Sequence, residues 1–186
     1  MSNGDSGEQS FGRWLIETVL LVVLALVLAQ GIKAFLVQPF VIPSGSMIPT
    51  IQERDRILAE KISYRFIRDP QRRDVVVFKN PTGDPAAPIL IKRLIATGGQ
   101  TIDLRKGVVY VDDVALDEPY THGLPSDPLN PQITYPFKIP AGNYWMMGDN
   151  RTNSGDSRQF GPVANTAVLG HAVWTYWPPR AFSALN

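Results

Sequence analysis

Residues 18–29 read TVLLVVLALVLA and carry no charge, and with Glu17 and Lys33 at its ends the apolar stretch covers residues 14–36. A helix needs roughly 20 residues to cross the hydrocarbon core of a bilayer. The stretch therefore predicts one transmembrane helix, with Trp14 and Phe35 suited to the two membrane boundaries. A cleavable export signal competes with that reading, because Val27-Leu28-Ala29 resembles a small-residue cleavage site. Such a signal wants a basic start, however, and Asp5, Glu8 and a lone Arg13 supply little of one. A helix lying flat on the membrane would need a strongly charged face, which residues 18–29 lack. An uncleaved anchor over residues 11–37 is the stronger reading, preceded by a polar, acidic tail at residues 1–10 that is expected to be disordered. Charge does not settle the side of the membrane. Arg13 precedes the helix while Lys33, Arg54 and Arg56 follow it, which leans against export, but large domains translocate largely regardless of charge.

Residues 38–186 leave room for one compact domain. The 16 prolines and 15 glycines of the 186-residue chain favour many turns and short strands over a helix bundle. Residues 75–78, Val-Val-Val-Phe, predict a buried strand, and residues 89–95 predict another that ends at Gly98-Gly99. Residues 108–111 followed by Asp112-Asp113 predict a strand and hairpin turn. Residues 144–147 and 168–176 are further strands, and the alternation in the last places Trp174 in the core and leaves Trp177 open. Residues 51–67 mix short strands with a helical turn, whereas residues 80–88 and 118–136 are irregular, rich in Pro, Asn and Asp. The fold class expected is mostly β, an N-terminal transmembrane helix followed by a compact domain of short antiparallel strands.

Several chemistries are excluded. A net charge of +1, from 18 basic and 17 acidic residues, gives no electrostatic case for nucleic acid. With no cysteine there is no disulfide, thiol nucleophile or thiolate metal site. His122 and His171 are far apart and lack carboxylate-rich neighbours at ligand spacing, so both read as structural or surface residues.

What remains is a turn, a strand and a loop. Pro43-Ser44-Gly45-Ser46-Met47-Ile48-Pro49-Thr50 presents two small hydroxyls on a chain stiffened by proline on either side. Ser46 is the candidate nucleophile, and a serine hydroxyl is weak until a base takes its proton. Lys92 is the candidate base: it sits among Ile89, Leu90, Ile91, Leu94 and Ile95, where loss of water would lower its pKa. The blander reading of Lys92, an edge-strand lysine that discourages aggregation, is the commoner role for such a residue. Residues 148–158 hold two Asp, two Arg, two Asn and two Ser. They form either a solvated loop with weak ion pairs or a cross-linked loop packed beside a site.

Taken in order, residues 43–50, Arg73-Asp74-Val75-Val76-Val77-Phe78, Ile91-Lys92-Arg93-Leu94-Ile95-Ala96 and Gly148-Asp149-Asn150-Arg151 through Arg158 resemble the motifs of bacterial type I signal peptidases. The resemblance implies a membrane-bound serine endopeptidase that removes signal peptides from exported preproteins after small residues of the Ala-x-Ala type. It implies that Ser46 attacks, that Lys92 is the general base, and that the Ser44 hydroxyl and the Ser46 backbone N–H form the oxyanion hole. Ser154 would hydrogen-bond and orient the lysine, while Asp149, Arg93, Asp156 and Arg158 would hold the site by ion pairs. Gln38, Pro39, Phe40, Ile42 and Pro43 would line the substrate, bound as an added strand with shallow pockets at Phe40 and Ile42. The implied partners are the preprotein, the bilayer and the export machinery; no metal or organic cofactor is needed. The implied location is the inner (plasma) membrane, single-pass, with the catalytic domain on its periplasmic or extracytoplasmic side.

The chain departs from the family in having Ala96-Thr97-Gly98-Gly99-Gln100 after the lysine strand, one membrane helix, and no room for a large accessory subdomain before Gly148. A specialised pilin or conjugation-type peptidase of the same mechanism and a non-enzymatic membrane-tethered β module are the alternatives. A self-cleaving repressor-type peptidase would need a helix-turn-helix for which the apolar N-terminus leaves no room, and the Ser-x-x-Lys motif of penicillin-recognising enzymes is absent at Ser44 and Ser46.

Overall fold

The structure, a computed structural model, describes residues 6–35 and 37–185. The chain divides into two compact units, Met1–Val37 and Gln38–Asn186. The first is built on helix α1, Ser6–Phe35. At 30 residues it is about 45 Å long, more than a bilayer core requires. Within it, Phe11–Gly31 is the one stretch among the described residues apolar and long enough to cross a membrane. Helix α1 starts earlier than expected, so the tail expected to be disordered is helical from Ser6; residues 1–5 lie outside the described residues. Propagating a helix costs little once its nucleus exists, and no proline interrupts residues 6–10.

After the helix come β1 (Val37–Val41), β2 (Arg56–Glu60), β3 (Val75–Lys79), β4 (Ile89–Thr97), β5 (Thr101–Arg105), β6 (Val108–Val111), β7 (Val114–Ala115) and β8 (Phe137–Lys138). The chain continues through β9 (Asn143–Met147), the short α2 (Ser157–Phe160), β10 (Val163–Ala164), β11 (Val168–Trp177) and β12 (Ser183–Ala184). One sheet runs in the order β1-β2-β11-β3-β4-β9-β10, with β12 paired to β11. A smaller sheet runs β7-β6-β5-β8. It occupies residues 101–138, where no large accessory unit was expected, and has its own core of Ile102, Val109 and Val111 against Ile95 and Trp145.

Strand β3 shows why its sequence is apolar throughout. Val75 and Val77 enter one core with Ile42, Met47, Ile51, Ile57 and Ala172, while Val76 and Phe78 enter another with Leu94 and Met146. A strand buried on both faces cannot alternate polar with apolar, and each of these side chains contributes about 1.5–3 kcal/mol on burial. The Asp112-Asp113 turn has φ of 50° and 64°, both left-handed as a two-residue hairpin connection requires, and it pairs Val111 with Val114.

Trp174 corrects the reading of β11. It is 48% exposed and outside the core, as is Trp177. Between Ala172, opposite Ala59, and Trp174, opposite Leu58, the register slips by a bulge. The extra residue reverses the phase of alternation, so Ala172 and Thr175 are buried and Trp174 faces out.

Candidate active site

Ser46 lies in a single turn of 3₁₀ helix, Gly45–Met47. Met47, wholly buried in the core with Ile42 and Ile51, pins that turn from below. Ser46 is itself only 7% exposed, whereas Ser44, extended at φ −139° and ψ 156°, stands in solvent just before it.

Lys92 comes from the middle of β4, opposite Val76 of β3. Its neighbour Arg93 pairs with Val75 on one side and Met147 on the other, so this part of β4 is interior to the sheet and the edge-strand reading does not apply. The Lys92 Nζ lies 2.7 Å from Ser46 Oγ and donates to the Ile91 carbonyl at 2.9 Å. Burial lowers its pKa to about 8, against the opposing pull of the Asp156 and Asp149 carboxylates.

The polar loop after β9 is cross-linked. Asp149 accepts from Arg93 Nε at 2.9 Å and Nη2 at 2.7 Å, and from Thr50 Oγ1 at 2.5 Å. The Arg93 guanidinium also lies 4.1 Å from the ring centre of Tyr120. Asp156 caps α2 by accepting from the Arg158 N–H, pairs with the Arg158 side chain at 2.9 Å, and accepts from the Gly148 N–H at 3.1 Å. All four charged groups are at most 1% exposed.

Gly148 brings this loop against the nucleophile turn: a Cβ there would sit 2.4 Å from the Ser46 carbonyl oxygen and 2.3 Å from Ser154 Oγ. The resemblance gives Ser154 the role of orienting the lysine. Its Oγ is buried without a hydrogen-bond partner among the described residues, and Lys92 is held by Ile91 O instead.

Phe40, Ile42 and Pro43 face Ala86–Ile91 across an apolar cleft of about 140 Å³, with Ile57 and Val77 beneath. Gln38 and Pro39 belong to the same edge strand, β1. A roomier, open cleft of about 650 Å³ between Asp69–Arg72 and Ala141–Tyr144 contains neither Ser46 nor Lys92.

Sequence reasoning missed several partners. Arg151 is buried and forks onto Glu118 at 2.9 and 2.7 Å, and it also donates to Ser126. The crowding of charge in residues 148–158 was a signal, but nothing marked Glu118, 33 residues upstream in an irregular segment, as the partner. The absence of carboxylates near His171 in sequence also misleads. The fold brings Glu60 to 3.6 Å and Asp74 to 3.8 Å, and stacks the ring on Tyr64; burial nonetheless holds the imidazole below its usual pKa. Asp74 is engaged by Arg68 at 2.6 Å, and no group of three such ligands able to hold a metal exists among the described residues. His122 is exposed, in a left-handed conformation at the end of a 3₁₀ turn.

A serine hydroxyl 2.7 Å from a desolvated amine, on a scaffold of short antiparallel strands, is an arrangement suited to serine–lysine hydrolysis. The comparisons name the kind. Residues 15–177 match the family described as signal peptidase, peptidase S26, and the chain belongs to it. It is a serine endopeptidase. Among its relatives, a probable signal peptidase I-1 of Synechocystis sp. is 37% identical over 180 residues, covering 94% of this chain and 88% of the relative. A probable signal peptidase I-2 of the same organism is 42% identical over 164 residues, covering 86% and 72%. A crystal structure of a signal peptidase I from Enterococcus faecalis is 31% identical and aligns with 56% of this chain and 97% of its own, at a TM-score of 0.45.

Proposed function

We propose that this protein cleaves signal peptides from preproteins, with Ser46 as nucleophile and Lys92 as general base. The observation that carries the reading is the 2.7 Å contact between Lys92 Nζ and Ser46 Oγ inside a buried site. A serine turn with a merely structural role has no use for an amine stripped of water. In its neutral form Lys92 accepts the hydroxyl proton while Oγ bonds to the scissile carbonyl carbon. The oxyanion that forms is received by the Ser46 N–H and the Ser44 hydroxyl, donors typically worth roughly 3–4 kcal/mol to the transition state. The proton then passes from Lys92 to the leaving amine nitrogen. Water, deprotonated by the same amine, hydrolyses the ester on Ser46 and restores the enzyme.

The substrate is read as an extended strand laid along the exposed edge of β1, with main-chain groups of Gln38 to Pro43 other than those of Ile42, which Arg54 and Asp55 engage, supplying the bonds. The cleft beside Phe40 and Ile42, at about 140 Å³, suits small side chains such as alanine. Helix α1 anchors the enzyme in the bilayer. The catalytic unit works on the extracytoplasmic side of the inner (plasma) membrane, on preproteins handed over by the export machinery.

The test is cleavage of a preprotein by detergent-solubilised wild type, Ser46→Ala and Lys92→Ala. Both variants should be inactive and folded; full activity in either would overturn the assignment.

A further inference from the structure

We infer that Asn150 is a positioning residue that aims the oxyanion-binding N–H of Ser46; this rests on Ser46 being the nucleophile, as proposed above. From the loop after β9, the Asn150 side-chain amide donates through Nδ2 to the Gly45 carbonyl at 3.1 Å, and its backbone N–H donates to the Ser46 carbonyl at 3.1 Å. One residue thus grips the carbonyls on both sides of the nucleophile, across 105 positions of sequence.

The Gly45 carbonyl and the Ser46 N–H are the two ends of one trans peptide unit, since the cis bonds of the described residues lie elsewhere. In a planar trans unit these two groups point in opposite directions, so fixing the carbonyl fixes the N–H. The restraint is needed here because Gly45 resists rotation of that unit less than any other residue would. The Gly45 carbonyl accepts a second bond, from the Ile48 N–H at 3.2 Å, so both its lone pairs are engaged and turning the unit over would break both bonds. The Ser46 N–H, in the first turn of its short helix, has no acceptor within that helix and stays available for the substrate. Gly148 permits the grip, because a side chain there would collide with the Ser46 carbonyl at 2.4 Å and push the loop away. Among the described residues Asn150 makes no hydrogen bond to Ser46 Oγ or Lys92; it acts through the peptide.

The experiment compares full-length wild type, Asn150→Ala and Asn150→Asp in detergent, using a preprotein and a peptide aldehyde. The aldehyde bonds its carbonyl carbon to Ser46 Oγ, the hydroxyl proton passes to Lys92, and the former carbonyl oxygen becomes an oxyanion in the site. Both variants should lose about 10–100-fold in kcat with KM nearly unchanged, and should lose aldehyde affinity by a similar factor. In Asn150→Ala the pH midpoint near 8 set by Lys92 should stay where it is. Asn150→Asp keeps the shape and the backbone bond but turns an acceptor toward the Gly45 carbonyl, so it decides the matter if Asn150→Ala does not fold. Wild-type kcat and aldehyde affinity in a folded variant would overturn the inference, as would a change confined to KM. Activity in Ser46→Ala, run alongside, would instead overturn the reading on which it rests.

Discussion

Arg93 and Asp149, from strand β4 and the loop after β9, form a two-pronged ion pair in which both side chains are 0% exposed. The residue before Arg93 is Lys92 and the residue after Asp149 is Asn150, so this one pair ties the base to the loop that grips the nucleophile turn. The third acceptor contact, from Thr50, reaches the turn itself. Neighbours along a strand point to opposite faces, which is how Lys92 makes no ion pair among the described residues while Arg93 is paired with Asp149.

Breaking that pair should be costly. Removing one partner of a buried ion pair leaves the other charge desolvated, at a cost of about 3–5 kcal/mol. Asp149→Ala should lower the unfolding free energy by that order, measured by denaturant titration of the detergent-solubilised protein. Arg93→Lys should fare little better, because an ammonium cannot supply the planar fork. A loss below about 1 kcal/mol in both would mean that the pair is dispensable.

Activity should depend on pH through Lys92. The amine must be neutral to accept a proton, and burial places its pKa at about 8 against the ordinary 10.5. The cleavage rate of a preprotein should therefore rise with a midpoint near 8 and level off above it. Lys92→Arg should show no such rise and no activity, since a guanidinium keeps its charge. A rate flat across that range in wild type would count against the dyad.

The same shift affects stability. With the folded pKa at about 8 and the unfolded near 10.5, the unfolded chain binds more protons between those values, so stability rises with pH across that window. Below it both states are protonated and the burial of charge costs its full amount, roughly 3 kcal/mol. Lys92→Met should remove the rise and leave an inactive protein at least as stable as wild type near neutral pH, read from unfolding midpoints at about pH 7 and 10. A Met variant much less stable at neutral pH would show that the amine is not held at such a cost.

Gly148→Ala should disable the enzyme. The added Cβ would meet the Ser46 carbonyl at 2.4 Å and Ser154 Oγ at 2.3 Å. Removing the second obstacle with Ser154→Gly should not rescue it, because the first is backbone and cannot rotate away. Ser154→Ala alone should leave stability near wild type, since the hydroxyl it deletes has no hydrogen bond to lose. Activity comparable to wild type in Gly148→Ala would show that loop and turn can move apart freely.

Much of the fold is legible locally. The uncharged stretch at residues 18–29 could hardly be other than helix, and the β3 run could hardly be other than a strand covered on both faces. Asp112-Asp113 records its own left-handed turn. Other features failed to show for reasons of geometry. The bulge that turned Trp174 outward arises from how β11 meets β2, and no pattern within β11 carries that information. The carboxylates beside His171 and the Glu118 partner of Arg151 are remote in sequence, as is Asn150 from Gly45.

By itself the sequence determined which segments bury themselves, where the chain must turn, and that Ser46 and Lys92 are the hydroxyl and the amine to which the proposed chemistry is assigned. Those properties belong to single residues and their immediate neighbours, through side-chain polarity, backbone freedom and spacing. Only the tertiary structure decided that the hydroxyl and the amine meet at 2.7 Å, that burial lowers the amine's pKa to about 8, and that Asn150 bonds to the carbonyls of Gly45 and Ser46. Contact distance and exclusion of water are properties of the closed sheet, and they exist only once strands distant in sequence have packed together.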